Sequence, residues 1–141
     1  MKRLVFLLLA ILFICSILEA CSNKLRVALF NNMGGPVVVQ LGQSVVDIES
    51  DKVGEFDYPG EAQDWKLRLK VASCVYTYAM PKSLERYPSN TGRGGPIRAQ
   101  IEKDAAVFLV PPLATTRQDI SALAALQNDG FPLRPVSKLC S

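Results

Sequence analysis

Histidine is missing from all 141 residues. That removes the commonest general base and the commonest zinc ligand. No Ser-His-Asp triad, Cys-His pair or His-Glu-x-x-His helix is available. Cysteine is scarce, four in total, and no Cys-x-x-Cys spacing points to a redox centre or a metal cluster. Internal repeats and low-complexity tracts are absent. The length suits one domain and excludes a two-domain nucleotide enzyme. The nearest approach to a phosphate loop, Thr91-Gly92-Arg93-Gly94-Gly95-Pro96, lacks the Gly-Lys-Ser/Thr ending and is not a dinucleotide fingerprint either. Strong charge of either sign is also lacking. The formal net charge is +3, too weak a balance to argue for nucleic acid as a partner.

What the chain does have begins at its N-terminus. Met1-Lys2-Arg3 is a short basic stretch, Leu4 to Leu18 is an apolar run, and Ala20-Cys21 is followed by polar Ser22-Asn23-Lys24. This is the layout of a secretory signal, and the run is short for a spanning helix, which takes about 20 apolar residues. Leu18-Glu19-Ala20-Cys21 resembles the lipobox of bacterial lipoproteins, with Glu19 in place of the usual small residue. The resemblance implies that residues 1–20 are a signal peptide and that 21–141 is a single exported domain acylated at Cys21. It also implies anchoring in the cell envelope, at the outer membrane facing the periplasm, because Ser22 is not the Asp of inner-membrane retention. Plain secretion or a periplasmic location after cleavage at Ala20, and an uncleaved anchor, are the alternatives. Without Lys2, Arg3 and Glu19, the 14 basic and 12 acidic residues of Ser22–Ser141 leave a balance of +2.

Cys15 lies in the apolar run and Cys21 at the lipobox. Cys74 and Cys140 remain, an even pair for an oxidising compartment. A disulfide between them is the expectation; one buried and one free thiol is the alternative.

The exported part reads as mainly β: a small antiparallel sandwich or partly open barrel of roughly six to eight strands with one short C-terminal helix. Leu25, Val27 and Leu29 share a face, and Asn31–Gly35 is turn material leading to Val37–Leu41, so these two strands read as a hairpin. Ser44–Glu49 and Lys52–Tyr58 alternate. Trp65, Leu67, Leu69 and Val71 oppose Lys66, Arg68 and Lys70, the clearest strand in the chain. A bulge near Ala72-Ser73 is expected to re-aim the stretch through Cys74, Tyr76 and Tyr78. Pro81–Pro96 reads as a long loop. Ile97, Ala99 and Ile101 point inward on the next strand, and Ala105–Val110 reads as a central one. Thr116-Arg117-Gln118-Asp119 has capping-box-like spacing ahead of a helix of about ten residues with a stripe of Ile120, Leu123, Ala124 and Leu126. An extended tail then brings Cys140 to Cys74.

Candidate contact residues are Lys66, Arg68 and Lys70, placed together by strand alternation, and Tyr87, Arg93 and Arg98 in and beside the 81–96 loop, where Lys82 and Arg86 also lie. The three strand cations suit an acidic partner surface; the loop window suits anionic headgroups or peptidoglycan carboxylates. Asp47, Glu49 and Asp51 alternate, but no calcium-loop pattern supports a metal site. No cofactor is implied. The leading expectation is a lipid-anchored envelope interaction or scaffold protein without catalytic activity, its partners being membrane lipid through acylation and an envelope protein or peptidoglycan. A small-ligand or inhibitor module and a carboxylate-dependent hydrolase are the rivals. An exposed apolar or aromatic patch near Tyr76, Tyr78 or Tyr87 without a deep pocket would favour the first, a concave site lined by such aromatics the second, and a cleft with facing carboxylates the last.

Overall fold

The computed structural model describes residues 25–58, 66–81, 96–111, 114, 116–124, 127 and 130–141. The signal region with Cys21, Trp65, and the loop cations Lys82, Arg86 and Arg93 with Tyr87 fall outside them.

Alternating short strands dominate, as the period-2 patterning requires. They are β1 (Leu25–Asn31), β2 (Val37–Leu41), β3 (Ser44–Ile48), β4 (Val53–Tyr58), β5 (Lys66–Val71), β6 (Cys74–Ala79), β7 (Ile97–Ile101), β8 (Val107–Leu109) and β9 (Ser137–Cys140), with, among the described residues, the helix α1 (Ile120–Ala124). They form a four-stranded sheet, β4-β1-β7-β8, and a five-stranded sheet, β3-β2-β5-β6-β9, arranged as a sandwich. Every pairing is antiparallel except β1 with β7, where Val27 lies beside Ile97 and Asn31 beside Ile101.

The expected β1–β2 hairpin does not form. β1 pairs with β4 and β7, and β2 with β3 and β5. The Asn31–Pro36 turn carries the chain from one sheet to the other. Asn31 fixes that crossing: its buried amide donates to Gly35 O at 2.8 Å, Ile48 O at 2.9 Å and Glu49 O at 3.2 Å, and its Oδ1 accepts the Met33 N–H at 2.9 Å. A turn through Asp51 (φ 60°) then crosses back from β3 to β4. Ala72-Ser73 is likewise a two-residue hairpin turn, with Val71 opposite Cys74, rather than a bulge. Ala72 takes φ 50° there, a left-handed conformation that Ala rarely adopts, so nothing in the local sequence signals the turn.

Between the sheets the inward faces meet. Val27, Leu29, Val37, Val39, Leu41, Ile48, Leu67, Leu69, Tyr78 and Ile101 are buried in one continuous core. Gly54 marks its tightest approach. A Cβ there would lie 2.6 Å from Ile48 Cδ1 and 3.3 Å from Val46 Cγ1. Ile48 is itself buried and has no room to give. Gly54→Ala should therefore cost about 1–3 kcal/mol by overpacking. Adding Ile48→Ala, which deletes Cδ1 and the still nearer Cγ1, should cost less on top of Gly54→Ala than it does alone, in a urea melt; strictly additive losses would refute the contact.

Of the expected ten-residue helix the structure describes α1, and Thr116 does not cap it. Asp119 does: its carboxylate accepts the Ser121 N–H at 2.8 Å and the Ser121 hydroxyl at 2.7 Å. These two bonds hold the exposed Asp119 carboxyl below the usual range. Of the helix residues only Leu123 is buried. β8, read from its apolar sequence as central, is an edge strand. Its outer rim is closed instead by a reciprocal backbone pair with Leu133, 2.9 and 2.8 Å, and by Gln127, whose side-chain amide exchanges two 2.9 Å bonds with Leu109.

Candidate functional site

The two outer sheet faces differ sharply. On the four-stranded sheet the outward residues of β7 and β8 lie beneath Ala114, Gln118, Leu123 and Gln127. Phe108 and Ala106 are buried there with Leu123. Gln100 is buried too, its amide exchanging bonds of 2.9 and 2.8 Å with the Gln118 backbone. Its Nε2 also donates to Glu102, whose second oxygen accepts Asn32 Nδ2 at 2.6 Å. Arg98 belongs to this roofed face. It is half-buried and donates to Ala114 O at 3.0 Å, helping to hold the roof. Sequence reasoning missed this polar layer. Gln100 and Glu102 occupy outward strand positions, and nothing local reveals that another segment covers them.

The outer face of the five-stranded sheet carries no covering segment among the described residues. Lys66, Arg68 and Lys70 project from β5, its central strand, and all three are exposed, while the alternate Leu67 and Leu69 are buried in the core. Their spacing along the strand is about 7 Å, two residues of extended chain. The registers extend each cation into a cross-strand row. One row runs Val45, Gln40, Arg68, Thr77, Ser137, and the next runs Asp47, Val38, Lys70, Val75, Leu139. At the two ends of this surface Val45 on β3 and Leu139 on β9 are 60% and 73% exposed. Among the described residues the ion pairs are Arg26 with Glu55 and Asp57, at 3.6 and 3.9 Å, and Arg134 with Asp104 at 3.3 Å. None involves the β5 cations.

The structure thus brings Lys66, Arg68 and Lys70 together, and puts Arg98 on the opposite face. Cys74 and Cys140 are directly opposed in the β6–β9 ladder and joined by a disulfide. The expected aromatic patch is not built from Tyr76 and Tyr78. Tyr78 lies in the core and donates to Ala105 O at 2.7 Å. Tyr76 is half-buried on the same inward face, with Lys138 Nζ 5.3 Å from its ring centre.

A shallow groove of about 400 Å³ opens where β3 meets β4, between Ser44, Val45 and Val46 on one side and Arg26, Glu55, Phe56 and Asp57 on the other. Its carboxylates share Arg26. Among the described residues no cluster of three or more metal-ligating side chains is assembled, and Asp51 sits in a turn rather than on a strand with Asp47. Nor is any helix among them long and apolar enough to cross a membrane. Searches against protein-family models, curated proteins and solved structures find no match to this chain. The reading of the site therefore rests on its geometry.

Proposed function

We propose that the chain is a lipid-anchored, non-catalytic interaction domain of the cell envelope. Cys21 carries the lipid, and the bare face of the five-stranded sheet takes an acidic partner. One observation carries this reading: an exposed sheet face holds three cations on one strand, and none of them has an ion-pair partner among the described residues. The other outer face is covered over β7 and β8, and at its exposed β1–β4 edge the cation Arg26 already pairs with Glu55 and Asp57. The Cys74–Cys140 disulfide adds support for export, since such a bond persists in oxidising compartments. An outer-membrane, periplasm-facing position follows from Ser22 after the lipobox cysteine, with a secreted or periplasmic form as the alternative.

Two measurements test it. Growth with a clickable fatty acid should label the wild type and place it in the membrane fraction, and Cys21→Ser should remove both label and membrane retention; an unlabelled wild type refutes the anchor. A photo-crosslinker at Gln40, within the bare face, should give envelope adducts that vanish in the Lys66→Gln/Arg68→Gln/Lys70→Gln variant. Adducts unchanged by that variant refute the face as the contact surface. The groove beside Arg26 and Phe56 supports a second reading, a small-ligand or inhibitor module, for which Arg26→Gln, at an exposed groove position, would abolish ligand-dependent stabilisation while the triple Gln variant would not.

A further inference from the structure

We infer that the acidic partner of the bare face is an anionic phospholipid surface, on which the domain lies with β5 against the headgroups. The inference rests on the proposed reading of that face as the contact surface and uses the Cys21 anchor only for proximity.

The distribution of residue types across the face favours this occupant. Its centre is Lys66, Arg68 and Lys70; its two margins are the exposed aliphatic side chains Val45 and Leu139. Each margin stands two strands from β5, about 10 Å away at ordinary strand spacing. A linear polyanion laid along β5 satisfies the cations and leaves both margins in water. A planar surface touches all five strands. Protein–protein interfaces have the reverse layout, with aromatic anchors at a centre depleted of lysine and a charged rim. The outward positions of this sheet hold no aromatic residue. A headgroup layer keeps central cations hydrated while their alkyl stems lie along the surface, so it does not charge them the desolvation a dry protein interface would.

Electrostatics agree in sign. Asp47, in the Lys70 row, is the one acid within the paired strands of this face, which leaves it a balance of +2. Glu55 and Asp57 project from β4 into the groove beside Val45, where Arg26 pairs with both. The anchor supplies reach. Leu25 opens β1 four residues after Cys21. Arg26, the next residue, lines the corner groove with Ser44 and Val45 of β3, the strand that borders the bare face. A lipid on Cys21 therefore tethers the bilayer beside this face, within roughly 14 Å of extended chain.

The test is flotation of the full chain with vesicles of phosphatidylcholine alone and of equal parts phosphatidylcholine and phosphatidylglycerol. With the apolar N-terminal run in place, or with the Cys21 lipid after its removal, the N-terminus binds both, so the readout is the gain on the anionic vesicles. That gain should be roughly thirty- to a hundredfold at low salt, should collapse at high salt, and should be lost in Lys66→Gln/Arg68→Gln/Lys70→Gln. It should survive in Lys52→Gln/Lys103→Gln/Arg117→Gln, which removes the same charge from exposed positions elsewhere. Equal losses in the two variants would mean net charge alone and overturn the inference. So would a wild type with no anionic gain, or a bare face that binds poly-glutamate and ignores the vesicles. Matching thermal midpoints verify that all variants are folded. Failure of the anchor is read separately, as absence of fatty-acid label on Cys21, and leaves the vesicle result standing.

Discussion

Replacing both bridged cysteines, Cys74→Ser/Cys140→Ser, should lower the unfolding free energy by about 4 kcal/mol, the loop-closure value for a cross-link of this span. The bond joins residues 66 apart in sequence. It frees the unfolded chain from a large closed loop and removes little native packing, since Cys140 is exposed and Cys74 half-buried. The cost should therefore come from the cross-link rather than from a cavity. It is large against the roughly 5–15 kcal/mol that holds a typical domain together. The local consequence falls on β9, whose four residues are all exposed and contribute nothing to the core. Val136 N–H on Thr77 O at 2.7 Å and Ser141 N–H on Ser73 O at 3.1 Å flank that strand. Without the disulfide these bonds should open together, so hydrogen exchange in β9 should rise well before that of β5. A urea midpoint unchanged in the double variant would remove the disulfide from the list of what stabilises the fold.

The tail that this bond secures was legible because cysteine counting is a long-range signal that needs no register. Strand alternation was equally informative where one face meets water: Lys66, Arg68 and Lys70 against Leu67 and Leu69, or Asp47 against Ile48, read the same way in sequence and in structure. It failed where both faces are covered. β8 is buried throughout, Val107, Phe108 and Leu109, and an unbroken apolar run does not distinguish a central strand from an edge roofed by other segments. The sheet changes at Asn31–Pro36 failed for another reason. Asn and Gly permit a hairpin and a crossover alike, and the choice is made by the Asn31 amide reaching Ile48 and Glu49, seventeen and eighteen residues away.

The bare face illustrates the same division. Its cations were identifiable from period 2 alone, yet its significance comes from the contrast with the other sheet. That contrast depends on two side-chain amides that imitate a backbone pair, Gln100 of β7 on the Gln118 backbone and Gln127 on the Leu109 backbone of β8. No local pattern encodes such docking. Arg98 shows the cost of reading without it: a basic residue beside a loop of basic residues looked like part of one cluster, and its guanidinium holds the Ala114 carbonyl of the roof.

Tyr78 gives the second large effect. It was a candidate for an exposed patch, but the Ala72-Ser73 hairpin sets Tyr78 opposite Leu67, on the face that packs against the other sheet. Its ring fills the core and its hydroxyl reaches Ala105 O at 2.7 Å, tying β6 to the β7–β8 turn, where Ala105 holds φ 62°. Tyr78→Ala should cost about 3–5 kcal/mol, the range for emptying a buried aromatic site. Tyr78→Phe keeps the ring and strands the carbonyl, so it should cost about 1–3 kcal/mol. Burial first, and then the neighbouring Tyr76 and Asp104, raise the Tyr78 phenol well above its ordinary value. The folded state therefore keeps its proton where the unfolded chain releases it. That contribution is complete below about pH 10 and is lost as the pH climbs above it. Urea midpoints measured from neutral to strongly alkaline pH should fall for the wild type and fall less for Tyr78→Phe. Parallel declines would show that the phenol is not held neutral in the fold, and would separate the packing of the ring from the bond its hydroxyl makes.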